Sequence, residues 1–132
     1  MNPDYYGLSP QMQALVDSET PDWSTVTLDN VHDAVNSVKC QLADNSRYRK
    51  KPAGLERHKK LGRYITMLMR VKAAKWAERG EDALADAITR TRRSLRQTDR
   101  LGLYSELYLD YLIAEGEKLY QKQPEATDNT RK

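Results

Sequence analysis

Few residues in this chain could carry bond-making chemistry. His32 and His58 lie in different predicted helices, and neither has a Cys, Asp or Glu beside it at metal-ligand spacing, so no metal is expected. Cys40 is the single cysteine and can form no internal disulfide; with no Cys-His signature it reads as a buried or inert thiol rather than a nucleophile. Glu81 and Asp82 are paired carboxylates, but they open a predicted helix, where negative charge complements the helix dipole without any catalytic role. Neither the P-loop nor the dinucleotide-binding glycine pattern occurs. The expectation is a non-enzymatic protein with no cofactor.

The cations are a stronger signal. Arg47, Arg49, Lys50 and Lys51 cluster in a predicted loop, Lys59, Lys60, Arg63 and Arg70 share one side of a helix, and Arg90, Arg93, Arg96 and Arg100 lie on the next, the last three on one side of it with Arg90 and Arg92 flanking them. Eight of these twelve clustered cations are arginine. A guanidinium offers a planar fork of donors to phosphate and stacks on bases, which suits a nucleic-acid backbone better than a general need for solubility. Tyr48, between two arginines, is placed to stack on an exposed base. The competing readings are an acidic protein surface as partner, or a solvated face with helical ion pairs such as Asp86 with Arg90 and Glu56 with Lys60. No helix-turn-helix, zinc-finger or ribonucleoprotein pattern is visible, so backbone binding is expected over base readout.

Charge is also sorted along the chain. Residues 1–45 carry seven acids and one base, a net −6; residues 46–100 carry seventeen bases and six acids, a net +11; residues 101–132 net −2. The overall +3 therefore hides a strongly basic middle. An acidic head and basic middle can neutralise one another within the molecule, or can offer complementary patches to other copies for head-to-tail self-association.

The elements that must position these side chains follow from apolar spacing. Pro3, Pro10 and Pro21 punctuate a short N-terminal segment with one brief helix near Gln11 to Ser18. Leu28, Val31, Val35, Val38 and Leu42 step by three and four, predicting a helix over 28–43 with Thr27 as N-cap. Arg47 to Gly54 reads as a basic loop. A long helix is expected over 55–79, with Gly62 as a weak spot, Leu61, Tyr64, Ile65, Leu68, Met69, Val71 and Trp76 on its packing face, and Gly80 closing it. The next, over 81–98, has Leu84, Ile88 and Leu95 as its apolar line; the last, over 103–120, is apolar most of the way round and is expected to sit centrally or meet a partner. Residues 122–132 read as a polar, disordered tail.

No segment has the period-2 pattern of a strand, so the fold class is all-α: a compact bundle of four to five helices with a short N-terminal segment, forming a single helical domain over residues 1–121. The chain is 39% hydrophobic and 31% charged with mean hydropathy −0.84, has no transmembrane-length apolar run, and starts without a signal-peptide pattern. The expectations are a cytoplasmic location and no membrane partner.

The order of features resembles the small helical subunit of CRISPR effector complexes, most closely the type III kind. The resemblance runs over residues 45–120: the basic segment Asn45 to Pro52, Lys60-Leu61 leading an apolar line through Ile65 and Leu68, the stretch Asp82 to Asp86 before an arginine-rich helix, and the tyrosine- and leucine-rich helix from Tyr104 to Tyr120. It implies a compact, non-catalytic helical subunit present in several copies among other subunits of a ribonucleoprotein, stacked beside a guide-RNA backbone and its target duplex and contributing cationic contacts. From the cations themselves the expected ligand is an RNA or single-stranded DNA backbone. The alternative is a small phage or plasmid accessory protein that binds a host protein through its basic face, as an inhibitor, regulator or packaging factor.

Overall fold

The computed structural model describes residues 5–48, 50–97 and 102–121. Among these the chain is all-α, with five α-helices, one turn of 3-10 helix and no strand. The helices are α1 (Pro10–Asp17), α2 (Leu28–Asn45), α3 (Pro52–Glu78), α4 (Glu81–Gln97) and α5 (Gly102–Gln121), with the 3-10 turn at Ser46–Tyr48. The tail over 122–132, together with Arg49 and Arg100, lies outside the described residues. No helix among the described residues is long and apolar enough to cross a membrane. The chain divides into two compact units, Met1–Lys72 and Ala73–Lys132.

In the first unit, α1 starts at an N-cap serine, Ser9, whose hydroxyl accepts the Met12 N–H, with Pro10 at the first helical position. Thr27 caps α2 as expected. Its Oγ1 accepts the Asn30 N–H at 3.1 Å, and Asn30 Oδ1 answers with a bond from the Thr27 hydroxyl at 2.9 Å. The stripe Val31, Val35, Val38 and Leu42 is buried, as are Leu61, Tyr64, Ile65, Leu68 and Met69 of α3. Cys40 is exposed rather than buried: it lies about 200° round the helix from Val38, off the apolar stripe. Gly62 does not interrupt α3.

The basic loop is shorter than expected. Helix α3 already begins at Pro52, because proline at the first helical position loses no hydrogen bond and arrives with helical φ. The entry is tight. Lys51 N–H donates to Tyr48 O at 3.2 Å and Leu55 N–H to Lys51 O at 2.8 Å. The buried Asn45 at the end of α2 donates Nδ2 to Gly54 O at 2.9 Å. Gly54 lies so close to Tyr48 that an added Cβ would collide with its carbonyl oxygen.

In the second unit α4 and α5 pack around Ala73, Leu84, Ala87 and Leu112, with Trp76, Ile88, Tyr108, Tyr111 and Leu119 partly buried against them. Trp76 thus packs within this cluster, and Val71 is only half-buried. Gly116 of α5 faces Leu84 of α4 with room to spare, since a Cβ there would sit at an ordinary contact distance, 3.7 Å from Leu84 Cδ2. Although α5 is rich in apolar residues, Leu112 alone among its described side chains is fully buried, and Tyr120 is 64% exposed. Gly80, at φ +110°, turns the chain out of α3 in a conformation glycine adopts without steric cost.

Candidate nucleic-acid interface

The first unit gathers part of the cationic set around the start of α3. A groove of about 580 Å³ there is lined by Tyr6, Asn45, Tyr48, Lys51, Ala53, Gly54, Glu56, Arg57, Lys60 and Arg63. Its charged lining is four cations against one carboxylate, Glu56, and that carboxylate sits 3.8 Å from Lys59 Nζ. The sequence pairs Glu56 with Lys60 instead; in the structure Lys60 is turned away to the aromatic cluster.

Each wall has a local cause. Lys60 is half-buried, with Nζ 4.8 Å from the Tyr6 ring centroid and 5.7 Å from that of Tyr64. It is therefore not part of a fully solvated face with Lys59, Arg63 and Arg70, which are exposed. Arg57 stacks on the Tyr6 ring at 4.9 Å, and its Nη2 donates to Tyr5 O and Gln41 Oε1, each at 2.7 Å. These bonds tie the N-terminal segment to α2 and α3. Tyr6 meets Tyr64 edge-to-face at 5.4 Å.

Beneath them, Tyr64 donates its hydroxyl proton to Asp17 Oδ1 at 2.6 Å and accepts from Gln13 Nε2 at 3.0 Å. The bond from Tyr64, then that from Gln13, holds the Asp17 carboxyl below its ordinary range, with Lys60 assisting against the opposing effect of burial. Burial, then the bond to Asp17, pushes the Tyr64 phenol up. For Lys60, burial opposes the charge, but the bond with Tyr64 and the charges of Tyr64, Tyr6 and Asp17 raise it above the ordinary lysine value. The groove wall therefore stays cationic.

The structure brings Tyr48, Lys51, Lys60 and Arg63 together in this groove. Arg47, Lys50 and Lys59 are exposed in the same unit, with the Arg47 guanidinium 5.9 Å from the Tyr48 ring centroid. Arg70 is exposed further along α3. Arg90, Arg93 and Arg96 are exposed on α4, in the second unit. Arg90 makes the expected ion pair with Asp86 at 3.0 Å and also lies over Trp76 at 5.2 Å. An exposed pair of this kind is worth at most about 1 kcal/mol.

Tyr6, Asn45 and Arg57 escaped the sequence reading. The triplet spacing of Arg57, Lys60 and Arg63 on one helix was a usable signal for Arg57. Nothing in the aperiodic N-terminal segment marks Tyr6. Of the remaining reactive groups, His32 is exposed, with Lys72 Nζ 3.0 Å from Nδ1 and Asn36 Nδ2 3.2 Å from Nε2. The Lys72 charge, then burial, lowers its pKa and favours the neutral ring. Among the described residues no three His, Cys, Asp or Glu side chains converge as a metal site would require. No family model, no curated protein and no solved structure matches this chain.

Proposed function

We propose that this chain is a non-enzymatic subunit that holds a nucleic-acid backbone, RNA or single-stranded DNA, within a larger ribonucleoprotein assembly. The observation that carries the reading is the groove at the start of α3, where Lys51, Arg57, Lys60 and Arg63 converge against a single carboxylate. Of these donors Arg57 and Lys60 are already held by aromatic and backbone contacts, so those two lose little side-chain freedom on meeting a strand, while the exposed Lys51 and Arg63 are free to reach its phosphates. The exposed arginines Arg93 and Arg96 of α4 supply further cationic surface. The resemblance to the CRISPR small subunit fits the same role, and the acidic first 45 residues would give neighbouring subunits a surface complementary to the basic middle.

A fluorescence-anisotropy titration of RNA and single-stranded DNA at several salt concentrations tests the reading. The log-log slope should be about −0.7 per neutralised phosphate, with little dependence on base sequence. Lys51→Gln with Arg63→Gln should make the slope shallower by roughly 1.4 for both ligands, two contacts at about 0.7 each. No binding at low salt, or a slope unaltered by the pair, would reject the interface and favour an acidic protein partner.

A further inference from the structure

We infer that the groove at the start of α3 takes one unstacked nucleobase of a single strand against the ring of Tyr48, with the flanking phosphates on Lys51 and Arg63. This inference rests on the backbone-binding reading and adds to it a site for the base itself.

The two tyrosines of the groove differ in what their rings can accept. Tyr6 is occupied: Arg57 lies over its ring at 4.9 Å, Lys60 at 4.8 Å, and Tyr64 meets it edge-to-face. Tyr48 is 48% exposed and, among the described residues, carries one cation, Arg47, at 5.9 Å, near the outer limit of about 6 Å for such contacts. An exposed aromatic costs free energy in water that a stacked base would recover, and every base has a π-face to offer. The ring also stands on a rigid base. Its carbonyl accepts the Lys51 N–H, Gly54 abuts its backbone, and Asn45 holds Gly54 O, so the backbone under the ring is already in place and only the side-chain torsions remain to be ordered on binding.

Charge and size agree with that occupant. Lys51 and Arg63 line the same groove as Tyr48, are exposed, and make no ion pair with the described residues. Phosphates on either side of a base stacked on Tyr48 would meet them. A groove of about 580 Å³ lies within the roughly 300–1,000 Å³ of small-ligand sites. A paired base inside a duplex cannot present its face to the ring without leaving the stack, so the site selects single strands.

The test compares dT8 with an octamer of the same phosphate count whose sugars carry no base. Wild-type protein should bind dT8 about 5- to 150-fold more tightly, the range of one base–aromatic stack. Tyr48→Phe should keep the preference and Tyr48→Ala should abolish it. Alanine retains the Cβ and backbone that pack on Gly54, so Tyr48→Ala should melt close to wild type, and circular dichroism checks this. Equal binding of the two octamers by wild type would overturn the base site while leaving the backbone reading standing. Binding of neither would overturn both. A dT8 preference that survives Tyr48→Ala in a folded variant would place the base elsewhere and overturn the inference.

Discussion

Replacing Gly54 with alanine should destabilise the protein, although Gly→Ala within a helix ordinarily stabilises by about 0.5–1 kcal/mol. The reversal comes from one contact. An alanine Cβ at this position would overlap the Tyr48 carbonyl oxygen and stand 2.8 Å from Tyr48 Cβ, and the oxygen belongs to backbone that cannot swing aside as a side chain would. Relieving the overlap means moving the start of α3 away from the 3-10 turn. Overpacking of this kind costs about 1–3 kcal/mol. The same movement stretches the bond from Asn45 Nδ2 to Gly54 O, and Asn45 is only 6% exposed, so its amide would lose a buried partner at a cost of about 1–3 kcal/mol. With the helix-propensity gain set against these, the net loss should be about 1–5 kcal/mol. For a chain of this size the melting temperature should fall by about 4–20 °C. Two other glycines serve as controls in the same circular-dichroism melts. Gly116→Ala adds a Cβ at ordinary van der Waals distance from Leu84 and should raise the melting temperature by about 2–4 °C. Gly80→Ala meets no atom within 4 Å but must hold φ near +110°, and should cost about 1 kcal/mol. A Gly54→Ala protein that melts above wild type, like Gly116→Ala, would refute the close approach of α3 to Tyr48.

Leu68 is fully buried and Arg63 exposed on the same helix, so Leu68→Asp should cost several kcal/mol while Arg63→Glu stays within about 0.5 kcal/mol; equal losses in thermal melts would contradict the assigned faces of α3. Tyr108, packed against the cluster around Leu84 and Leu112, has its phenol pushed up to about 12, chiefly by burial. Its neutral form is the one the fold accommodates, so its contribution is intact below pH 10 and is lost as pH rises from 10 through 12. Urea unfolding at pH 9 and pH 11.5 should show about 1–2 kcal/mol of that loss in wild type, and a correspondingly smaller drop in Tyr108→Phe; equal drops in the two would remove Tyr108 as the source.

The elements and their inner faces were legible in the sequence because helical period is a local property. Leu28 to Leu42 and Leu61 to Met69 repeat at three and four residues, and any helix built from them must bury that stripe; Thr27 as a cap and Asp86 with Arg90 as a pair depend on neighbours within one turn. The exposure of Cys40 is equally local, since two residues past Val38 it lies about 200° round the helix and off the stripe. The basic loop, expected to run to Gly54, ends at Pro52 because proline disfavours helix before it but can itself open one, and its presence alone does not say which.

The groove depended on contacts that no local pattern encodes. Tyr6 meets Arg57 and Lys60 across some fifty residues of sequence, and Asp17 reaches Tyr64 across 47. Composition showed that residues 46–100 carry +11 but not which cations share a surface. Tertiary packing placed Lys51, Arg57, Lys60 and Arg63 around one groove and Arg93 and Arg96 in the other compact unit. The physical reason is that charge gains little from any one arrangement in water, so cations go where the burial of apolar side chains carries their helices. The sequence determined a basic, helical chain with named apolar stripes, and the packing of those stripes decided which of its cations and which tyrosine line one groove.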